Sequence, residues 1–561
     1  MNPSTAQATV VVDELIRNGI RHVVVCPGSR NAALAMALHQ AATAGHLTMH
    51  VRIDERSAGF LALGLSKSGG RPAAVACTSG TAAANLHPAV LEAYHSGVGM
   101  LVFTADRPPE LHGTGANQTI DQRGLFGPAA ITVEFPVAER RDGQNQVWRG
   151  LVCRAVAQAE HGRPVQVNMP FREPLMPTFG PPWPENLDGR PHCLRWTTSA
   201  APLTMAGSRV DFRLPAHTLM VFGSGRDDRA VAAASVAASA GWPAVAEPSG
   251  QAAAMAGGAA VLRCGALLLA CGELPESLRP EAVVVVGRPT LSRGVRGLMG
   301  RAPVYGIGDH PQWTDPQYVA THVRGWLDLD DMPQVDGMDP DWLAAWRQAD
   351  TNAVMAAEKL LGEQDWPTGL QLAVDVMAAL PPDAALFLGS SNPIRDVDLV
   401  AEPRADVVIH ANRGVAGIDG NVSTAVGMAL STDRPAYALI GDLTLLHDVN
   451  GLLIGPPEQR PNLTVIVHND DGGGIFTLLE QGSAEYQSSF ERVFGTPHNA
   501  DLAALCRGYR VPHTLVTTST ELRAALAPDA GLRVVEARSD RALLRDLHAR
   551  LRSVVTETAL R

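Results

Sequence analysis

Tyr437-Ala-Leu-Ile-Gly-Asp-Leu-Thr-Leu-Leu-His-Asp-Val-Asn-Gly (437–451) and Leu463-Thr-Val-Ile-Val-His-Asn-Asp-Asp-Gly-Gly-Gly-Ile-Phe (463–476) carry the pattern that decides the fold. Each opens on a short apolar run, which reads as a buried strand, and breaks at once into Gly, Asp and Asn. Two neighbouring strands of this kind present Asp442 and the pair Asn469/Asp470 at the carboxyl edge of a sheet, where open α/β sheets bind ligands. Carboxylates, an amide and glycine carbonyls form an all-oxygen set suited to Mg²⁺ and a diphosphate. Taken alone, Gly-Asp after a strand is more often a plain turn.

Outward from this stretch the same unit recurs. Strands are expected at His22–Cys26, Leu47–Ile53, Ala73–Cys77 and Met100–Thr104, each followed by a turn and a helical pattern. Thr78-Ser79-Gly80-Thr81 offers hydroxyls to cap a helix. A Pro-rich stretch, Phe171 to Trp183, reads as a linker. Leu219-Met-Val-Phe-Gly-Ser-Gly then opens a second α/β region, with further strands expected at Ala266–Ala270 and Ala282–Val286. Gly223-x-Gly225 begins a dinucleotide fingerprint whose third glycine position is Asp228, and a structural role is the favoured reading. Ser292-Arg293 is expected to point a cation at an interface. A second linker, Asp328–Pro340, and an amphipathic helix over 341–361 lead into a third region, where Ala385-Leu-Phe-Leu-Gly-Ser-Ser echoes Val23-Val-Val-Cys-Pro-Gly-Ser. Strand–turn–helix repeats predict an α/β chain of three doubly wound parallel-sheet domains, over residues 1–182, 195–350 and 360–561.

The bulk composition narrows the function. The chain has 561 residues, 46% hydrophobic and 18% charged, with a formal charge of −11. Length suggests several packed domains. The acidic balance argues against nucleic acid and anionic membranes, and anionic small substrates would need local arginines. Asp13 and Glu14 interrupt the N-terminus early, no apolar run is long enough to span a bilayer, and seven cysteines show no C-x-x-C pairing. The expectation is a cytoplasmic protein with reduced thiols, without integral membrane association.

Asp-Glu-Arg-Ser-Ala-Gly-Phe (54–60), Gly-Asp-Leu (441–443) and Asn-Asp-Asp-Gly-Gly-Gly-Ile-Phe (469–476) together resemble the thiamine-diphosphate-dependent enzymes. Cys-Pro-Gly-Ser-Arg (26–30), Ala-Asp-Arg-Pro-Pro-Glu-Leu (105–111), Gly-Ala-Asn-Gln (115–118), Ser391 to Arg395 and Asn-Arg-Gly-Val-Ala-Gly-Ile-Asp-Gly (412–420) narrow the resemblance to a synthase family of menaquinone biosynthesis. It runs nearly end to end and is weakest in the middle region. It implies the thiamine-diphosphate-binding fold twice, flanking a transhydrogenase-like central domain. It also implies a homodimer or homotetramer with active sites between subunits. The implied reaction is decarboxylation of 2-oxoglutarate and 1,4-addition of the remaining succinic-semialdehyde unit to isochorismate, giving 2-succinyl-5-enolpyruvyl-6-hydroxy-3-cyclohexene-1-carboxylate. The alternative is another 2-oxoacid decarboxylase or carboligase of the superfamily, such as acetohydroxyacid synthase.

The resemblance assigns roles position by position. Glu55 matches the glutamate that hydrogen-bonds the aminopyrimidine of thiamine diphosphate; Glu55, Gln118, Arg395 and Arg413 are the catalytic candidates. Cofactor contacts are implied at Gly28, Ser29, Glu55, Ser391, Gly417, Ile418, Asp442, Leu443 and Phe476. Ser391, Arg395 and Arg413 are expected on the 2-oxoglutarate side, Arg30 and Arg107 facing isochorismate, Asn117 and Gln118 near the reacting carbons, and Arg293 as a further cation. Arginine forks match carboxylates bidentately, which reconciles an acidic chain with acidic substrates. For Mg²⁺ or Mn²⁺ the expected ligands are Asp442, Asp470 and the carbonyl of Gly472, with Asn469 as the alternative to Asp470. Asn469 lies 27 residues after Asp442 and Asp470 28. Registration on the glycine turn favours Asp470, because the loop at 455–462 can absorb one residue and the turn cannot. Asp471 has no assigned role.

Overall fold

A computed structural model describes residues 1–178, 181–199, 213–225, 227–308, 315–325, 327, 329 and 334–561. Parts of both expected linkers, and one residue of the 223–230 loop, lie outside the described residues. Contacts divide the chain into two compact units. One takes Met1–Leu203, Asn412–Asp433 and His447–Asn462; the other takes Thr204–Ala411, Arg434–Leu446 and Leu463–Arg561.

The first unit holds six parallel strands, β1 (His22–Val25), β2 (Thr48–Val51), β3 (Ala73–Cys77), β4 (Met100–Asp106), β5 (Ile131–Glu134) and β6 (Pro164–Pro170), in the order β2-β1-β3-β4-β6-β5. β3, β4 and β6 are buried along their whole length, as parallel strands covered by helices on both faces require. The helices Pro3–Arg17 and Gln144–Glu160 cover one face, packing Val10, Leu15, Trp148 and Val156 against Val23, Leu101 and Phe103. The Pro-rich stretch is docked at its end: Trp183 is buried with its ring 5.8 Å from that of Trp148.

A buried ion pair ties these helices. Arg149 is 1% exposed and donates from Nη1 to Glu14 Oε2 at 2.7 Å; Glu14, wholly buried, also accepts from Trp196 N–H at 2.7 Å. Removing one partner of such a pair strands the other charge in the core, at a cost of about 3–5 kcal/mol. Arg149→Met is therefore expected to lower the first thermal transition in scanning calorimetry by several degrees. An unchanged transition would mean Glu14 is solvated.

The second unit holds two six-stranded parallel sheets and a small ribbon. The ribbon pairs β7 (Arg213–Pro215) with β14 (Gln334–Asp336). The central sheet comprises β8 (Thr218–Phe222), β9 (Pro243–Ala246), β10 (Ala260–Val261), β11 (Ala282–Val286), β12 (Val304–Ile307) and β13 (Ala320–Arg324), ordered β10-β9-β8-β11-β12-β13. This is the 3-2-1-4-5-6 order of dinucleotide-binding sheets, but the glycine loop after β8 is spent on packing. A Cβ on Gly223 would lie 2.2 Å from the Arg288 carbonyl carbon, and Ser224 bridges to Arg288. The expected strand at Ala266–Ala270 is instead the helix Gly265–Ala270. Ala-Leu-Leu-Leu-Ala carries no β-branched residue, and a short apolar run of that kind does not separate strand from buried helix by periodicity.

The last sheet comprises β15 (Ala385–Leu388), β16 (Val408–Ala411), β17 (Ala436–Gly441), β18 (Leu463–Asn469), β19 (His513–Val516) and β20 (Leu532–Arg538), ordered β16-β15-β17-β18-β20-β19. Numbered from its own first strand, this repeats the 2-1-3-4-6-5 order of the first sheet, so the echo between Val23 and Ala385 marks a duplicated architecture. Among the described residues no helix is long and apolar enough to cross a membrane.

Candidate active site

In a 2-1-3-4-6-5 sheet the winding reverses between the first and third strands, and ligands bind in the crevice outside the carboxyl ends there. In the first sheet that crevice lies beyond β1 and β3, at Cys26–Arg30 and Thr78–Gly80. In the last it lies beyond β15 and β17, at Gly389–Ser391 and Gly441–Asp442.

Within the first unit, Arg107 and Gln118 gather around Ser79, and Arg30 lies within electrostatic reach of Arg107. Arg107 Nη1 donates to Ser79 Oγ, Ser79 Oγ donates to the Gln118 carbonyl at 3.0 Å, and Gln118 Nε2 donates to the Ser79 carbonyl at 2.9 Å. Gln118 sits at φ 56°, which turns the exposed Asn117–Gln118 tip. The expected capping role of Ser79 is not met: the helix Thr81–Asn85 begins at Gly80 without a side-chain cap, because that hydroxyl is committed to Arg107 and Gln118. Arg30 is buried and donates to the Phe171 carbonyl at 2.9 Å; burial, then the neighbouring Arg107 charge, holds it below the usual arginine range. Two cations held this close suit an anion. Gly28 is half-buried and Ser29 exposed beside them.

Glu55, half-buried, is the first residue of the helix Glu55–Gly69, just past β2. Asp54 caps that helix through the N–H groups of Arg56 and Ser57, and Asn450 Nδ2 donates to Asp54 at 2.9 Å. Ser57 Oγ donates to the buried carboxylate of Asp448 at 3.2 Å, which also takes the N–H of Ser423 at 2.7 Å. Burial pushes Asp448 up to about 6 against these donors. Arg413 is buried in a loop held by Glu92, which accepts from Gly414 N–H at 2.8 Å and Val415 N–H at 2.7 Å. Half-buried Gly417 and Ile418 follow, and Asn421 Nδ2 donates to the Gly417 carbonyl at 3.0 Å.

In the second unit Ser391 takes φ 80° at the start of the helix Asn392–Val400, and its carbonyl accepts from Arg395 Nη1 at 2.6 Å. Burial lowers the Arg395 pKa while Asp396 and Asp398 oppose the shift. Arg395 and Arg293 line one cavity of about 1070 Å³, with Asn392, Ile475 and His548. Ser292 caps the helix carrying Arg293 through Val295 N–H at 3.2 Å, and buried Glu247 fixes the preceding loop through the N–H groups of Thr290 and Leu291, each at 2.6 Å.

The acid pair lies one strand further on. Asp442 is 2% exposed; its Oδ1 accepts from Leu443 N–H at 2.6 Å and its Oδ2 from Gly472 N–H at 2.8 Å. Asp470 is pushed up to about 7, first by burial and then by the charge of Asp442. Asp442 is itself raised by burial, against the donors His498, Leu443 and Gly472; a buried carboxylate raised by the charge of a second suits a divalent cation. The glycine run makes this geometry possible: Gly472 has φ 142°, and a Cβ on Gly474 would lie 1.9 Å from Asp470 Oδ2. Asn469 is committed elsewhere, donating to buried Glu536 at 2.7 Å and accepting from Asp471 N–H at 3.0 Å. Phe476 packs its ring 5.6 Å from that of Phe494. Among the described residues no three His, Cys, Asp or Glu side chains converge as a metal cluster.

Sequence reading missed Ser79, Glu92, Glu247 and His498. Each acts on a residue tens of positions away, and nothing in its local pattern announces the pairing.

Residues 6–125 match the family described as thiamine pyrophosphate enzyme, N-terminal TPP binding domain, and residues 402–533 match its C-terminal TPP binding domain. The chain is similar to proteins named 2-succinyl-5-enolpyruvyl-6-hydroxy-3-cyclohexene-1-carboxylate synthase. It is 51% identical to that of Saccharopolyspora erythraea, over 99% of both chains. It is 48% identical to that of Nocardia farcinica and 44% to that of Mycobacterium marinum, over 99% of this chain and 100% of each relative. The chain therefore belongs to the 2-succinyl-5-enolpyruvyl-6-hydroxy-3-cyclohexene-1-carboxylate synthase family of thiamine-diphosphate-dependent enzymes.

Proposed function

We propose that the protein decarboxylates 2-oxoglutarate and joins the remaining succinic-semialdehyde unit to isochorismate by 1,4-addition, using thiamine diphosphate and Mg²⁺ or Mn²⁺. The observation that carries this reading is the buried pair Asp442 and Asp470 at the carboxyl ends of β17 and β18, beside the winding reversal of the last sheet, in a unit with a cavity lined by Arg293 and Arg395. The ranges 1–182, 195–350 and 360–561, each holding one six-stranded sheet, are the pyrimidine-binding, central and diphosphate-binding domains of this reading. A cytoplasmic homodimer or homotetramer belongs to it.

Thiamine diphosphate, when bound, supplies the electron sink for loss of CO₂ from a 2-oxoacid. The chain's own residues do the rest. Asp442, Asp470 and the carbonyl of Gly472 hold the cation, with the backbone of Ser391, Gly417 and Leu443 beside the diphosphate. Gly28 and Ser29 flank the aminopyrimidine, Ile418 and Phe476 give it apolar walls, and Glu55 holds a proton at its ring nitrogen. Ser391, Arg395 and Arg413 bind the carboxylates of 2-oxoglutarate. Arg30, Arg107, Asn117 and Gln118 orient isochorismate, and Arg293 adds a cation.

Purified protein with cofactor, Mg²⁺, 2-oxoglutarate and isochorismate is expected to release CO₂ and consume isochorismate. Turnover of pyruvate alone, with none of this pair, would overturn the reading in favour of a synthase for smaller 2-oxoacids. Arg395→Lys removes the planar fork, and is expected to raise the KM for 2-oxoglutarate about ten-fold with little change for isochorismate. Equal effects on both substrates would remove Arg395 from the 2-oxoglutarate side.

A further inference from the structure

Asp471 and His498 lie against the acid pair and the proposed chemistry does not use them; Arg541, which donates to the Asp470 carbonyl at 2.9 Å, and buried Asp396 also stand beside the pair. His498 lies on the segment that follows the short helical turns after Phe476, in the same unit as Asp442. Its ring is mostly buried, 14% exposed, and Nε2 stands 3.0 Å from Asp442 Oδ2. The N–H of Ala500 donates to Nδ1 at 2.9 Å. With Nδ1 accepting from Ala500, Nε2 is the ring nitrogen left to donate, and it is aimed at Asp442. Asp471 holds the backbone that carries the ring: its Oδ1 accepts from the N–H of His498 at 3.1 Å and of Asn499 at 2.8 Å, and lies 3.5 Å from Nδ1, on the same side as Ala500. Asp471 takes φ 54° and Asn499 φ 48°, so two left-handed residues shape the turn that presents the imidazole.

The result is a directed carboxylate. Among the described residues, Asp442 Oδ2 receives two donors, His498 Nε2–H and Gly472 N–H, whereas Oδ1 receives only the adjacent Leu443 N–H. The doubly donated oxygen is held back against the protein, and Oδ1 retains lone-pair capacity toward a cation. Carboxylates that bind metals are commonly oriented by hydrogen-bond donors of this kind, whose loss costs about 10–100-fold in metal affinity.

We propose that His498 is a positioning residue for Asp442: its Nε2–H, oriented by Ala500 and by the turn on Asp471, fixes which oxygen of Asp442 faces the divalent cation. This rests on the reading of Asp442 as a cation ligand. It also gives Asp471 its function, as the anchor of the turn that carries the imidazole.

The test is an equilibrium titration of Mg²⁺ into cofactor-free full-length protein at fixed thiamine diphosphate, followed by tryptophan fluorescence and repeated with Mn²⁺. His498→Phe keeps an aromatic ring and removes the donor; the cation midpoint is expected to rise about ten-fold or more. His498→Gln returns an amide N–H close to the place of Nε2 and is expected to recover most of that loss, while the melting temperature of the cofactor-free protein stays near wild type in both. Asp471→Ala, which keeps the imidazole but frees its turn, is expected to raise the midpoint several-fold, and it decides the matter if the His498 variants do not fold. A His498→Phe midpoint within two-fold of wild type overturns the inference and leaves the cation site standing, as does His498→Gln no better than His498→Phe, which would make the ring a packing element. Cation-independent binding by the wild type overturns the site itself.

Discussion

Glu55→Gln is expected to bind thiamine diphosphate and Mg²⁺ as the wild type does and to lose roughly 10²–10⁴-fold in turnover, the range that positioned proton transfer contributes. The substitution preserves shape and hydrogen-bonding reach. It removes only the ability to exchange a proton, which the role proposed for Glu55 at the aminopyrimidine requires. The structure makes this a clean test, because Glu55 is held from its backbone: Asp54 caps the helix through Arg56 and Ser57, Asn450 fixes Asp54, and Asp448 ties Ser57. None of those bonds uses the Glu55 side chain, so the variant is expected to melt with the wild type. The measurement pairs a fluorescence titration of cofactor with the rate of CO₂ release from 2-oxoglutarate. Wild-type turnover in Glu55→Gln would remove the proton role, and lost cofactor binding would make Glu55 a binding residue instead.

How the site is built decides how much of it can be read from the chain. Candidate residues at strand ends are legible where an apolar run breaks into Gly, Ser, Asp or Asn, as at Val25-Cys26-Pro27-Gly28 and Ile440-Gly441-Asp442. Strand order was not legible: parallel strands joined by helices leave no local mark of which strand lies beside which, so the winding reversals at β1/β3 and β15/β17 appear only in the fold. The duplicated order shows that the echo between Val23 and Ala385 carried topology, although as a sequence match it was slight. The misreading of Ala266–Ala270 is of another kind, since six apolar or small residues satisfy either period. Gly223-x-Gly225 shows the same ambiguity for motifs: glycine there admits the Arg288–Pro289 backbone, a packing demand that looks identical in sequence to a phosphate loop. The supporting carboxylates are hidden for a third reason. Glu92 acts on Gly414 and Val415, 322 and 323 residues away, through a charge on backbone N–H groups that constrains no side chain at the other end.

The register of the metal turn gives the second large effect. Asp442→Ala and Asp470→Ala are each expected to weaken cation-dependent cofactor binding by more than the roughly 100-fold that loss of an outer partner costs, whereas Asn469→Ala is expected to leave the cation midpoint nearly unchanged. Asn469 and Asp470 are adjacent on a strand end, so their side chains leave in opposite directions. Asn469 turns toward β20, where Glu536 is wholly buried and takes donors from Asn469 at 2.7 Å, His513 at 2.8 Å and Arg538 at 2.6 Å. Against the upward push of burial these donors hold Glu536 down to about 2. Removing one of them costs stability, about 1.5–3 kcal/mol for a hydrogen bond to a charged group, so Asn469→Ala is expected to melt several degrees earlier yet bind cofactor. Asp470 turns the other way, over Gly474 and toward Asp442, where burial and the second carboxylate push it up to about 7. Removing it relieves that repulsion, so Asp470→Ala is expected to be no less stable than the wild type without cofactor, and to lose the cation. Magnesium titration and thermal melting thus separate the two residues in opposite directions. Loss of cation binding in Asn469→Ala, with Asp470→Ala unaffected, would move the ligand to Asn469 and shift the register of the turn by one residue.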